Sequence, residues 1–285
     1  MTTVAITGYA SLDYVLRLEG APRPNETVIG ARAGLWPRLG GSPAYVARAL
    51  TRAGVRATPI TWVADDLDGT RYAAALACEN VPTEGIARTL AGNTPACILA
   101  YGPAGECFCL YIPEAGRTAG LGDSQRNILR AAEWVCLTVG PAEANRAALA
   151  AVAPHQRLAW VVKGDADAFP PALRADLAAR ADLIVHSRGE RAFVAEALAA
   201  ASRPGRMLVE TLGAEGAAVT VDGVTALVAP EATVAATDPT GAGDTFVGGL
   251  LAALLAAPED AAAAVRAGQR AAHDMLRARQ EERIA

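Results

Sequence analysis

The chain has 285 residues, 52% hydrophobic and 20% charged, with 26 basic against 30 acidic side chains and a formal net charge of −4. The apolar share excludes a disordered chain, no apolar run reaches the ~18 residues of a membrane span, and no Lys/Arg block offers a face for nucleic acid. Lys163 is the only lysine, so a G-x-x-x-x-G-K-[ST] phosphate loop is absent.

Along the chain, Val4–Gly8 reads as a strand, followed by a polar stretch with extended segments at Tyr14–Leu18 and Glu26–Gly30. Ala44–Ala53 has helical spacing and stops at Gly54; Thr58–Val63 is a strand and Thr70–Glu79 a helix. Thr94–Tyr101 and Cys107–Ile112 flank Gly102-Pro103-Ala104-Gly105 as a hairpin. Helices at Ser124–Ala132 and Ala142–Val152 enclose a strand at Trp134–Val139. Strands at Ala159–Val162, Leu183–Val185 and Met207–Thr211 alternate with helices at Pro171–Ala179 and Arg188–Ala201. A second hairpin, Gly216–Val221 with Val224–Val228, precedes helices at Asp244–Leu255 and Pro258–Arg279.

This alternation predicts βαβ units, hence an α/β protein with a mostly parallel sheet and helices on both faces. Residues 14–39 and 86–112 break the pattern and are too short for a core of their own. They are expected to form a small β-flap over one sheet edge, within a single domain covering 1–285. The five cysteines lack paired metal-ligand spacing and read as buried thiols, and the three histidines show no zinc motif. Lacking a basic, apolar leader at its start, the chain is expected in the cytoplasm. Its abundance of alanine and its preference for Arg over Lys are read as base-composition bias.

The segment richest in chemistry is Asp238-Pro239-Thr240-Gly241-Ala242-Gly243-Asp244-Thr245-Phe246, which leads straight into a helix. Pro239 and the glycines permit a tight turn. The amides of Gly241, Ala242 and Gly243 would then lie at the positive end of a helix dipole, an anion site needing no lysine. Asp244 beside them is either a base for an attacking hydroxyl or a helix-capping residue; helix rules alone leave both open.

This segment resembles the C-terminal signature D-T-T-G-A-G-D-x-F of the ribokinase-like (PfkB) carbohydrate and nucleoside kinases, departing at Pro239. Further segments resemble the same family in order. They are Gly8–Asp13; Asn25–Val28; Gly40 through Ala47 to Gly54; Ala64–Gly69; Ser187–Glu190; and Thr211–Gly216. The resemblance implies a three-layer αβα ribokinase-like fold with a β-flap as lid. It also implies an ATP-dependent kinase acting on a hydroxymethyl group of a small sugar or sugar-like acceptor, with an adenosine-like nucleoside as the alternative. A catalytically weak, sugar-responsive binding protein is a further reading. Asp244 is the expected base, with the Gly241–Gly243 amides as anion hole. Asp13, Gly40, Gly41 and Tyr45 are expected at the acceptor; Ser187, Thr211, Gly213 and Gly216 at the nucleotide. Glu190 would hold Mg²⁺ through water, and Asp238 and Thr240 a monovalent cation such as K⁺. Tyr45 and Ser187 stand where the family usually has Asn. Tyr45 and Trp36 offer rings that could pack on a base, although ordinary packing is the commoner role for Trp36. Lys163, just after a strand, is assigned no role. An exposed flap edge further suggests a homodimer through the lid, with no nucleic-acid or membrane partner.

Overall fold

The computed structural model describes residues 3–234, 236 and 238–281. In chain order these form β1 (Thr3–Thr7), β2 (Ser11–Leu18), β3 (Gly30–Arg32), β4 (Arg38–Gly40), α1 (Ser42–Arg52), β5 (Arg56–Ala64), α2 (Leu67–Cys78) and β6 (Ile86–Thr89). Then come β7 (Ala96–Tyr101), β8 (Cys107–Ile112), α3 (Asp123–Ala131), β9 (Trp134–Leu137), α4 (Ala142–Ala151), β10 (Arg157–Val161) and α5 (Pro171–Arg180). The last are β11 (Leu183–Ser187), α6 (Arg191–Ala200), β12 (Met207–Thr211), β13 (Ala217–Val221), β14 (Val224–Val228), α7 (Ala242–Ala256) and α8 (Ala261–Glu281).

The main sheet runs β14-β13-β12-β11-β10-β9-β1-β5-β6. It is parallel from β12 to β6, and only the β13–β14 hairpin adds antiparallel pairs. Apolar strands such as TVAIT and LIVHS are buried because helices cover both faces. One face packs Leu50 of α1, Leu76 of α2, Leu251 of α7 and Val265 of α8; the other packs Leu129, Ala148, Leu173 and Val194 of α3 to α6. The three-layer αβα arrangement expected from the sequence is thus present.

A second sheet, β3-β2-β7-β8 with β4 on β2, covers one end of the first. Its β2 begins just beyond β1, so a buried strand passes directly into the lid. Ile86–Thr89, expected with the flap, instead pairs in parallel with β5 as the edge of the main sheet. The chain leaving α2 is already aligned with β5 there, and Gly85 and Thr61 join backbone to backbone. The expectation of five buried thiols holds only for Cys97 and Cys136; Cys78, Cys107 and Cys109 are exposed. The strand CFCLYI lies at the edge of the second sheet, and Cys107 and Cys109 open onto the cavity from it. Helix α2 starts three residues earlier than expected because the Asp66 carboxylate accepts from the Gly69 amide at 2.6 Å, a side-chain N-cap.

Helix α7 lies between α1 and α8 at unusually short range. A methyl added at Gly248 would stand 2.5 Å from the Ala49 methyl, and one at Gly249 would stand 2.7 Å from that of Ala271.

Candidate active site

β1 has β5 on one side and β9 on the other, while the chain winds outward in both directions. In an open α/β sheet that switch point, at the carboxyl ends of the strands, is where ligands bind. A cavity of about 620 Å³ lies there beneath the lid. It brings together Asp13, Gly41, Tyr45, Gly241, Gly243 and Asp244, with Thr240 on the same side. Ser187, Glu190 and Thr211 face them from the ends of β11 and β12. Gly40 lies beneath Asp13, where any side chain would collide with the carboxylate. Gly213 and Gly216 do not line the cavity. They shape the turn from β12 to β13, where the Leu212 amide donates to the Gly216 carbonyl at 2.8 Å.

Asp13, on β2, is 3% exposed. Its Oδ1 accepts from the Ser11 hydroxyl at 2.6 Å and its Oδ2 from the Tyr45 hydroxyl at 3.4 Å. Burial pushes its carboxyl above the usual range, and the Ser11 bond and nearby Arg38 offset this only in part. Such a carboxylate gains by accepting hydroxyls from a ligand. Tyr45 is itself buried on α1, its phenol pushed up to about 12 by burial and by the Asp13 charge.

The 238–244 turn is tied down from several directions. Gly241 is left-handed, with φ 75°, and caps α7; a side chain there would meet the Tyr45 ring at 2.5 Å. Glycine is therefore required twice over, by conformation and by space. The Thr240 hydroxyl meets that of Tyr101 at 2.8 Å. Arg38 donates to Asp238 Oδ2 at 2.6 Å. Burial would raise the Asp238 carboxyl, but the Arg38 bond and charge overcome it and hold the group below its ordinary value. Ala242 departs from its expected role as an anion-hole donor: its N–H donates to the Pro239 carbonyl at 3.0 Å, closing the turn. The amides of Gly241 and Gly243 remain as the candidates.

Oxygens of Asp238 and Thr240, expected to ligate a monovalent cation, are engaged by a guanidinium. Arg279 Nη1, from α8, donates to the Thr240 carbonyl and, at 3.4 Å, to that of Asp238; it also lies 3.8 Å from Asp238 Oδ2. Nη2 donates to the Tyr45 hydroxyl at 3.3 Å, and the group lies over the Tyr45 ring, 5.7 Å from its centroid.

Asp244 stands in the first turn of α7, partly exposed to the cavity. Desolvation raises its carboxyl to about 6; the Ser42 hydrogen bond and Lys163 oppose the rise, while Glu190 and Asp13 add to it. Lys163, given no role from sequence, thus shares the cavity with Asp244. Its position after a strand at the crevice was the only available signal. His186, also lining the cavity, carried no local motif.

Glu190 Oε2 accepts from both the Ser187 amide and hydroxyl, at 2.8 and 2.9 Å. This capping box fixes Glu190 at the rim. Among the described residues no three metal-ligating side chains converge. Glu190, a single carboxylate at the rim, is a donor of the kind Mg²⁺ takes alongside its own water.

The layered sheet and its lid define the class: the fold is that of the ribokinase-like kinases. Residues 1–280 match the family described as pfkB family carbohydrate kinase, and the chain belongs to that family. It is thus a kinase of the sugar or nucleoside type. Among solved structures, the Methanocaldococcus jannaschii nucleoside kinase is 16% identical, with a TM-score of 0.79 over 97% of this chain and 92% of that one. An uncharacterized sugar kinase from Pyrococcus horikoshii is 20% identical, with a TM-score of 0.80 over 95% and 91%. Arabidopsis thaliana ribokinase, complexed with ribose and ATP, is 18% identical, with a TM-score of 0.78 over 97% and 93%. A comparison with the curated proteins finds no match. No helix among the described residues is long and apolar enough to cross a membrane.

Proposed function

We propose that the protein transfers the γ-phosphoryl group of ATP to a hydroxymethyl group of a small sugar or sugar-like acceptor. The observation that carries this reading is the placement of Asp244, a carboxylate at a helix N-terminus in the same cavity as the buried acceptor-type carboxylate Asp13. Asp13 would accept hydrogen bonds from two acceptor hydroxyls and so aim a third at Asp244. Asp244 takes the proton from that hydroxyl as its oxygen bonds to the γ-phosphorus and the bond to ADP breaks. The Gly241 and Gly243 amides and the Lys163 ammonium stabilise charge on the group in transit. Glu190 would hold Mg²⁺ through water, and the ion supplies neutralisation of the phosphate charge. Ser187 and Thr211 border the nucleotide, and Gly213 and Gly216 keep the turn behind it narrow.

A nucleoside acceptor is favoured by one feature, the rings of Tyr9 and Tyr111, which line the cavity 5.0 Å apart. The rings singled out from sequence speak less for it. Tyr45 is sandwiched by Gly241 and Arg279, and Trp36 donates to the Val15 carbonyl at 2.9 Å and packs edge-on to Tyr14. ADP release measured over pentoses, hexoses, their phosphates, polyols and nucleosides tests both readings. Turnover confined to sugars or polyols supports the first, and a base-dependent preference the second. Ligand binding with no ADP release over the whole panel would refute both.

A further inference from the structure

We propose that Arg279 supplies from within the chain the positive charge that a monovalent cation would bring to the 238–240 segment, so that phosphotransfer proceeds without K⁺. This rests on the kinase reading above for its catalytic consequence, but its structural part stands alone. A cation at this place would draw on the carbonyls of Asp238 and Thr240 and the carboxylate of Asp238. Arg279 Nη1 already bonds both carbonyls and lies 3.8 Å from the carboxylate. The same carboxylate receives Arg38 at 2.6 Å. One carboxylate therefore faces two guanidiniums, whose side chains are 15% and 18% exposed. A third positive charge would be repelled and would find its ligands taken.

The guanidinium differs from a bound ion in one useful way. It is planar, permanently charged and fixed at several points, so the turn before Gly241 is held at every salt composition. Its other end is anchored on Tyr45, the ring beneath Gly241, by the 3.3 Å hydrogen bond and the stacking contact. Arg279 is thus a positioning residue. It acts on the transferred phosphoryl group through the backbone of Thr240 and Gly241.

The test compares wild type, Arg279→Ala and Arg279→Lys in KCl and in choline chloride at equal ionic strength, by ADP release and by thermal melting. Wild type should turn over equally in both salts, within about twofold once general screening is matched, and melt at the same temperature. Arg279→Ala should lose about 10²-fold in kcat in choline, the scale of a small misplacement at a reacting centre, with KM for ATP little changed. KCl or millimolar guanidinium should restore much of that loss. Activation of the wild type tenfold or more by K⁺, or melting raised by K⁺ alone, would overturn the proposal. So would an alanine variant that is fully active in choline, or one that neither salt rescues. If the alanine variant does not fold, the lysine variant decides: cation-independent turnover is expected, and a K⁺ requirement refutes. The melting arm needs no turnover, so absence of any acceptor would count against the kinase reading and leave this inference readable.

Discussion

The 238–244 turn lines the cavity and the 211–216 turn touches it only through Thr211, and the first is tied by Arg38, Tyr45, Tyr101 and Arg279 from four separate elements. The second is closed mainly by its own backbone; its side-chain ties are the Arg188–Glu215 pair, both partners more than half exposed, and a long 3.5 Å bond from the Thr211 hydroxyl to the His186 carbonyl. The difference follows the chemistry proposed for each side. Charge develops at the transferring phosphoryl group, where donors must already be in place because reorganisation there would add to the barrier. A nucleotide's ribose and base only need to be seated, and a turn that adapts can do that. The denser set of side-chain ties lies on the side where phosphoryl transfer is proposed.

The comparison can be broken most severely at Asp244. Asp244→Asn should lower kcat about 10²–10⁴-fold while sparing ATP binding, and wild-type kcat/KM should fall on the acid side with an apparent pKa near 6. The stability sign is the reverse of the usual carboxylate case. A group raised in the folded state contributes fully below the ordinary carboxylate pKa, and its contribution is lost as pH rises through about 6. Asp244→Asn should therefore melt above wild type at pH 8; a lower melting temperature there would contradict the burial argument.

Next is Arg38→Ala, which leaves Asp238 mostly buried with one partner fewer. Urea unfolding should show a loss of about 3 kcal/mol, and an unchanged midpoint would mean that the turn is not held by its charges. Asp13→Asn should come third, cutting kcat/KM for the acceptor about 10–150-fold, the value of charged hydrogen bonds, with KM for ATP unaltered. The smallest effect is expected across the cavity. Glu215→Ala should leave both melting temperature and turnover unchanged, since an exposed ion pair is heavily screened. A loss there comparable with that at Arg38 would erase the contrast between the two turns.

The layered fold was legible because its information is local: apolar runs, helical spacing and stop signals each act over a few residues. Gly40, Gly41, Asp13, Glu190 and the 238–246 segment were legible for the same reason, as each lies in a short motif. Arg38 and Arg279 were not. Arg38 bonds Asp238 across 200 positions, and Arg279 reaches Thr240 across 39, from a helix whose charged side reads as ordinary surface. Ile86–Thr89 departs from the expected flap because a short strand's sequence records its conformation and not its neighbour. The Ala242 amide looks free in the sequence because turn closure depends on where the Pro239 carbonyl points. Gly213 and Gly216 match a motif, but whether they reach a cavity depends on the path of the turn.

Where α1, α7 and α8 meet, the small residues Ala49, Gly248, Gly249 and Ala271 have a mechanical role. With methyls and bare backbone in contact at Gly248 and Gly249, no long side chain remains there to swing aside and absorb an error. The helix carrying Asp244 is gauged against its neighbours almost as metal parts are shimmed, and its height above the cavity is set by main chain. A protein built this way can change what it accepts by altering the lid or the tyrosines that face the cavity. It has far less freedom to retune by tilting α7.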